Sequence, residues 1–172
     1  MRIGLISDTH LSSGRLPPAI LDALQGVERI LHAGDLVTLD VLRHLEAIAP
    51  VTAVQGNMDL GSTRLKLPFK IVLEVEGHQI GLIHGHGVPN PNRVLPPPID
   101  FDAMHRYLLS EFQDVKVDCI VYGHTHQAHV EIYHNILMIN PGSATHGKSG
   151  RGTLGLLTIH QGEMQAEIIQ LV

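Results

Sequence analysis

The chain has 172 residues, 44% of them hydrophobic and 17% charged, a balance that excludes intrinsic disorder. Its formal net charge is −5, and its lysines and arginines form no cluster, so we expect no binding to duplex nucleic acid. The sequence holds no apolar run of about 18 residues and no signal peptide, which predicts a cytoplasmic protein without a membrane partner. The length fits one domain over residues 1–172.

The first part of the chain alternates predicted strands with predicted helices. Short apolar runs predict buried strands at residues 2–7, 29–32 and 51–54. A helix opened by two prolines is expected at 17–25. A second helix, capped by Thr38, is expected to run to about residue 48.

The second part of the chain is mainly strands joined by turns. The predicted strands lie at residues 69–75, 79–84, 117–122, 128–133, 136–140, 153–160 and 163–171. One helix, capped by Asp100, is expected between them, up to Phe112. A proline-rich loop at 89–98, with Arg93, precedes this helix and would either shape access to a site or serve only as a connection. The whole pattern predicts a mixed α/β fold of two mixed sheets packed face to face with helices outside.

A polar cluster follows each of five predicted strands. The clusters are Asp8-Thr9-His10, Gly34-Asp35, Gly56-Asn57, His84-Gly85-His86 and Gly123-His124-Thr125-His126. Because strand ends in open α/β sheets converge on one crevice, we expect all five clusters at the same end of one sheet. The glycines before Asp35, Asn57 and His124 permit tight turns or close backbone approach. Since side chains alternate along an extended segment, His124 and His126 should point to the same side.

Each cluster alone is also explained by ordinary turn or capping chemistry. Together, those explanations require five independent coincidences at one end of a sheet, so we favour a metal site. Carboxylate oxygens with imidazole nitrogens suit Mn²⁺, Fe, Zn²⁺, Ni²⁺ or Co²⁺, whereas an all-oxygen set would suit Mg²⁺ or Ca²⁺. A shared carboxylate can hold two cations about 3.5–4 Å apart, and a water that bridges them has its pKa lowered towards about 7.

The ordered set of clusters resembles the calcineurin-like metallophosphoesterase superfamily, and most closely its small single-domain bacterial and archaeal phosphodiesterases. The resemblance extends over residues 2–143 and includes Asn140-Pro141-Gly142-Ser143. It implies a four-layer α-β-β-α double β-sandwich and two divalent transition-metal ions, with Mn²⁺ favoured. The ligands that it implies are Asp8, His10 and His126 for the first ion, Asn57, His84 and His124 for the second, and Asp35 for both.

One position departs from the family pattern. Many relatives carry a histidine after Gly-Asn that is thought to protonate the leaving group, but this chain has Met58, whose thioether cannot donate a proton. Members of the phosphodiesterase subgroup often lack that histidine, so activity is still expected, with diesters favoured over monoesters. Asn57 and His86 are the expected catalytic residues; His86 or a metal-bound water would take over part of the proton donation, unless His86 only supports His84. Asp59 either orients His10 or caps a turn.

The leading functional prediction is a metal-dependent phosphodiesterase that hydrolyses small or nucleotide-like phosphodiesters by in-line attack of a metal-bridging hydroxide. One alternative is a phosphomonoesterase or protein phosphatase. Another is a non-catalytic scaffold, because a retromer subunit that resembles this family binds proteins with the same fold; that subunit lacks ligands that are intact here. Similar proteins also form oligomers, so a homo-oligomer is compatible with the resemblance.

The remaining histidines and the cysteine are interpreted more simply. Cys119 lies in an apolar run and is predicted to be a small buried residue. His146 could line the mouth of the site. Seven further histidines are interpreted as surface residues or as hydrogen-bonded core residues: His32, His44, His78, His105, His129, His134 and His160.

Overall fold

The structure is a computed structural model that describes residues 1–13, 15–88, 98–147 and 150–172. Arg93 and residues 89–97 of the proline-rich loop lie outside the described residues. The strands are β1 (Arg2–Ile6), β2 (Arg29–His32), β3 (Val51–Ala53), β4 (Lys70–Val75), β5 (His78–Ile83), β6 (Cys119–Val121), β7 (His129–Tyr133), β8 (Ile136–Asn140), β9 (Thr153–His160) and β10 (Glu163–Gln170). The helices are α1 (Pro18–Ala23), α2 (Asp40–Glu46), α3 (Gly61–Lys66) and α4 (Phe101–Glu111).

The strands form two mixed sheets of five strands each. In the first sheet the order is β10-β9-β1-β2-β3, with β1, β2 and β3 parallel and β9 and β10 antiparallel. In the second the order is β4-β5-β6-β8-β7, where β5, β6 and β8 are parallel and both edge strands are antiparallel. The predicted class, two mixed sheets with few helices, is confirmed.

Three clusters of apolar side chains lie between the layers of the structure. Leu5 and Leu31 of the first sheet pack against Leu82 and Val121 of the second, which fills the space between the sheets. Because side chains alternate along a strand, neighbouring residues of the first sheet point outward and pack against α1 and α2. The outer face of the second sheet is covered by α4, through Met104 and Leu108 among others. The order is therefore helix, sheet, sheet, helix.

Two details differ from the prediction made from the sequence. Thr38 does not cap α2, because the helix begins later, with Leu39 at the N-cap position and no side-chain hydrogen bond there. Helix α3 was not predicted, since its sequence has no apolar helical period and its one large apolar residue, Leu65, is 89% exposed. The cap at Asp100 is confirmed, because its carboxylate accepts a hydrogen bond from the Ala103 backbone at 2.9 Å.

Two smaller predictions also have a structural answer. Cys119 is fully buried in the core between the sheets, as predicted, and burial raises the pKa of its thiol. Among the residues that the structure describes, none of the helices is long and apolar enough to cross a membrane.

Candidate metal centre

The five polar clusters meet in space, but they come from two sheets and not from the end of one. Asp8, Asp35 and Asn57 follow β1, β2 and β3 of the first sheet. His84 and His124 follow β5 and β6 of the second sheet. The expectation of one sheet is therefore wrong. The two sheets face each other, and these five strands end at the same edge of the pair, which brings the loops after them together.

A first group of possible metal ligands surrounds Asp8. Its Oδ1 lies 3.2 Å from Nε2 of His126 and 3.8 Å from Nε2 of His10. The two imidazole Nε2 atoms lie 3.1 Å apart. One ligand atom from each of Asp8, His10, Asp35 and His126 lies within 4.8 Å of the others, which is compatible with a shared cation.

A second group lies beside it, around His84. The Nε2 atom of His84 is 3.2 Å from Oδ1 of Asn57, and the ring of His124 is 5.3 Å from that of His84. The same Nε2 lies 3.4 Å from Oδ2 of Asp35, and Asp35 Oδ2 is also 3.6 Å from Nε2 of His10. Asp35 therefore stands between the two groups, where one carboxylate could serve both.

The two carboxylate oxygens of Asp8 differ in their hydrogen bonds. The Oδ2 atom of Asp8 accepts hydrogen bonds from Ser7 Oγ at 2.5 Å and from the His124 backbone at 3.1 Å. Its Oδ1 atom is buried, and among the described residues nothing donates a hydrogen bond to it. A buried carboxylate oxygen without a partner is costly unless a cation binds it. The donor set therefore fits a divalent metal ion.

The charges of the centre shift the pKa values of its side chains. Burial opposes ionisation of Asp35, but the hydrogen bond and charge of His84 outweigh it and lower the pKa of Asp35 to about 2. Burial also opposes protonation of His84, yet Asp35 and Asp8 raise its pKa to about 9. His84 donates its Nδ1 proton to the Ala33 carbonyl at 2.7 Å, which leaves Nε2 facing the two aspartates. By contrast, burial lowers the pKa of His124 to about 4.

The backbone at His124 and His126 is left-handed, not extended. His124 and His126 have φ values of 70° and 55°, so the argument from an extended segment is wrong for this pair. The turn that begins at Gly123 sends His124 towards His84 and His126 towards Asp8. His124 therefore belongs to the group around His84, and His126 to the group around Asp8.

The predicted close approaches at the glycines are present. A Cβ atom at Gly56 would clash with Oδ1 of Asp35, and one at Gly123 would clash with Oγ of Ser7. Gly34 combines a φ of 94° with a position where a Cβ would lie 2.8 Å from Nδ1 of His84. These positions admit only glycine, because side chains of the centre occupy the space.

Asp59 caps the turns of the centre and does not orient His10. It is fully buried. Its Oδ2 accepts hydrogen bonds from the backbone of Asp35 at 3.0 Å and of Gly56 at 2.8 Å, and its Oδ1 accepts one from Val37 at 2.7 Å. One carboxylate therefore joins the loops after β2 and β3.

The Asn-Pro-Gly-Ser motif at the end of β8 supports the loops of the centre, a role that the pattern of the sequence does not indicate. Asn140 is buried and donates hydrogen bonds to the Gly123 carbonyl at 2.7 Å and to Thr125 Oγ1 at 3.0 Å. Ser143 Oγ donates to the Asp8 carbonyl at 2.7 Å. These contacts hold the turn after β6 and the loop after β1. In the sequence, the signal for this role is Asn140 itself, a polar residue at the end of an apolar strand.

His86 and Met58 lie at the side of the second group. The ring of His86 is 5.4 Å from that of His84 and rests against Phe69, while its Nδ1 has no hydrogen-bond partner among the described residues. Burial lowers the pKa of His86. The Met58 side chain is exposed, but its backbone N–H donates to Asp35 Oδ1 at 2.8 Å. His146 lies at the first group, with its ring 6.0 Å from that of His10.

Comparison with known proteins supports the same family. The calcineurin-like phosphoesterase superfamily domain matches residues 1–162. A probable metallophosphoesterase of Methanothermobacter thermautotrophicus is 37% identical over 172 residues, which cover 99% of this chain and 92% of the relative. A phosphodiesterase of Methanocaldococcus jannaschii is 27% identical, covering 99% of this chain and all of the relative.

A solved structure shares the fold over the whole chain. Vps29 of Entamoeba histolytica, in complex with Zn²⁺, superimposes with a TM-score of 0.72 at 25% identity, covering 99% of both chains. The match over residues 1–162, together with the fold and the relatives, shows that this chain belongs to the calcineurin-like phosphoesterase superfamily.

Proposed function

We propose that this chain is a phosphodiesterase that hydrolyses small or nucleotide-like phosphodiesters at a centre of two divalent metal ions. The observation that carries the proposal is the position of Asp35. Its Oδ2 lies 3.6 Å from Nε2 of His10 and 3.4 Å from Nε2 of His84, between two groups of ligands. A carboxylate shared in this way is how two cations are held close together.

The proposed ligands are those implied by the family resemblance. Asp8, His10 and His126 would hold the first ion; Asn57, His84 and His124 would hold the second. Asp35 would hold both. Mixed nitrogen and oxygen donors suit first-row transition metals, and we favour Mn²⁺ among them, with Ni²⁺, Fe, Zn²⁺ and Co²⁺ as further candidates.

The protein contributes orientation and charge. When bound, two divalent ions supply a water of lowered pKa for in-line attack and positive charge against the phosphate. Two aspartates leave a formal charge of +2 on such a pair, so the centre would attract an anion in an otherwise acidic protein. Ser7 and the His124 backbone fix the Asp8 carboxylate, and the Met58 backbone fixes that of Asp35.

The preference for diesters rests on the likeness to the phosphodiesterase among the relatives. Met58 bears on the leaving group: an ester with an alkyl leaving group needs a proton at the departing oxygen, and a thioether cannot give one. We assign that role in part to protonated His86, whose Nδ1, at the edge of the second group, forms no hydrogen bond with a described residue. Because burial lowers the pKa of His86, this contribution should grow as the pH falls. Support of His84 by His86 is the weaker alternative, because both ring nitrogens of His84 have other partners.

Two other functions compete with this proposal. A phosphomonoesterase would use the same centre, and only substrate preference separates the two. A scaffold is the alternative raised by the likeness to Vps29, and since that protein was solved with Zn²⁺, metal binding alone does not exclude it here. Turnover is therefore the measurement that decides.

The test uses protein stripped with a chelator and reloaded with Mn²⁺. We expect faster hydrolysis of bis-p-nitrophenyl phosphate than of p-nitrophenyl phosphate. An equal or reversed preference would contradict the diesterase assignment, and no turnover with any of the five metals would favour the scaffold. Asp35→Ala should abolish activity and metal binding at this centre.

His86→Ala tests the proton donor with two leaving groups. Nitrophenolate departs without help, whereas an alkoxide needs a proton, and general acids contribute about 100-fold or more in such cases. The variant should therefore lose about 100-fold in kcat with a dialkyl phosphodiester, from which only an alkoxide can depart, and little with bis-p-nitrophenyl phosphate. Metal content should stay unchanged, and an equal loss with both substrates would remove His86 from the role.

A further inference from the structure

A second cluster of metal-ligand side chains lies outside the centre, between α4 and the edge strand β7. One ligand atom from each of His105, His129 and Glu131 lies within 4.8 Å of the others. The Nε2 of His129 is 2.9 Å from Glu131 Oε2, and the Nδ1 of His105 is 3.8 Å from the same oxygen. Around a tetrahedral Zn²⁺, nitrogen and oxygen ligand atoms bound at 2.0–2.2 Å lie about 3.3 Å from one another. The two distances in the cluster lie on either side of this value.

His105 shows that the cluster is incomplete without a further partner. Its side chain is fully buried, and its Nε2 is hydrogen-bonded to the Tyr122 hydroxyl at 2.9 Å. Its Nδ1 is also buried, and nothing in the described part of the chain forms a hydrogen bond with it. Burial lowers the pKa of His105 to about 4, so the ring is neutral at pH 7 and its nitrogen lone pair can bind a cation. The interpretation of His105 as a hydrogen-bonded core residue therefore holds for Nε2 and not for Nδ1.

The other two ligands are aimed at the same point. His129 and Glu131 are two residues apart on β7 and therefore share one face, on which His129 contacts Phe101 and Glu131 lies near His105 of α4. The ring of Phe101 stacks on His129 at 3.8 Å with an angle of 11°, which fixes the plane of the imidazole. Glu131 is 44% exposed, so it can adjust and leaves the site open to an ion from solvent.

We propose that His105 Nδ1, His129 Nε2 and Glu131 Oε2 form a separate site for one Zn²⁺ ion, with a water in the fourth position. Two imidazoles and one carboxylate are a donor set that Zn²⁺ takes in proteins. The Tyr122 hydroxyl would hold the far nitrogen of His105, as second partners of metal-binding histidines do. Such an ion ties α4 to the edge of the second sheet.

The test counts zinc in protein from which the centre described above has been removed. Asp35→Ala protein is stripped with chelator, equilibrated with Zn²⁺, freed of excess metal and analysed by inductively coupled plasma mass spectrometry. We expect one equivalent to remain. Adding His129→Gln should remove that equivalent, whereas adding His160→Gln, a change at an exposed histidine, should leave it.

If Asp35→Ala protein does not fold, His129→Gln is tested in the otherwise unaltered chain. There His129→Gln should lower the zinc content by one equivalent, and in Co²⁺-loaded protein it should reduce the visible absorption of a tetrahedral nitrogen and oxygen site. Unchanged zinc content on His129→Gln would overturn the site. Because the readout is the difference of one equivalent, the result does not depend on whether the chain hydrolyses phosphodiesters.

Discussion

At the scale of single residues, the proposed ligands are held in a backbone conformation that residues with a Cβ rarely adopt. The φ values lie between 47° and 70° at five of them: Asp8, His10, Asp35, His124 and His126. Each such conformation costs on the order of 1–3 kcal/mol and persists only where neighbouring contacts enforce it. Hydrogen bonds from buried polar residues around the centre supply that enforcement.

Asp59 is the residue whose loss should release two of the loops. Asp59→Ala removes the acceptor of three backbone hydrogen bonds, from Asp35, Val37 and Gly56. We expect a loss of about 3 kcal/mol in the free energy of unfolding, measured with urea on metal-free protein. Asp40→Ala is the matched control, since Asp40 is exposed and pairs with Arg43 at the surface. Equal effects of the two substitutions would contradict the role of Asp59.

His84 should make the metal-free protein lose stability at alkaline pH. Asp35 and Asp8 raise the pKa of His84 from 6.5 to about 9 against the effect of burial. Between these values the folded state keeps a proton that the unfolded state has lost, so the stabilisation is complete below pH 6.5 and disappears as pH rises through 9. We expect the free energy of unfolding to decrease by on the order of 3 kcal/mol over this window. Denaturant unfolding at each pH measures this decrease.

His84→Gln should remove most of that slope, because a glutamine does not titrate. The slope that remains belongs to His126, whose pKa is raised by its hydrogen bond to Asp8. The histidines with lowered pKa values, among them His32 and His124, do not disturb the window, since above pH 6.5 they are neutral in both states. A profile with the same slope in the variant would show that another group causes it.

The sequence predicts which residues come together in the metal centre, but not the hydrogen bonds that position them. The five clusters were identified because each follows an apolar run, which is a local pattern. The role of Asp59 was not decided, since two of its three partners, Asp35 and Val37, lie 24 and 22 residues away in the chain. Hydrogen bonds between distant loops leave no periodic signal in a single sequence.

At the scale of elements, the segment after β8 connects the loops of both sheets. Asn140 holds the turn after β6, and Ser143 and Thr145 bind the carbonyls of Asp8 and Thr9 after β1. The strands themselves were predicted closely, because apolar runs and turn residues mark them. Helix α3 was missed for the opposite reason, since its side chains show no apolar period.

Asn140→Ala should weaken metal binding without removing any proposed ligand. It deletes the donor to Gly123 and Thr125 and the acceptor of the Gly142 backbone N–H. Loss of such supporting contacts costs about 10–100-fold in metal affinity. Titration of the chelator-stripped protein with Mn²⁺ measures it, with Gln25→Ala, an exposed amide on the first sheet's side, as the control. Unchanged affinity in Asn140→Ala would show that the turn keeps its shape unaided.

At the scale of the whole molecule, the centre lies where two separate sheets meet. Asp8, Asp35 and Asn57 come from the first sheet, and His84 and His124 from the second, so neither sheet alone holds a complete set. The packing of the two sheets was predicted from the change in element pattern along the chain. That the site spans both was not, because the relative placement of the sheets depends on long-range packing between them.

Anomalous scattering from crystals of the Mn²⁺-loaded protein tests the proposed centre most directly. We expect two peaks about 3.5–4 Å apart, with the Asp35 carboxylate between them. Asp8, His10 and His126 should surround one peak, and Asn57, His84 and His124 the other. A single peak, or two peaks that do not share Asp35, would contradict the proposal of a two-metal centre.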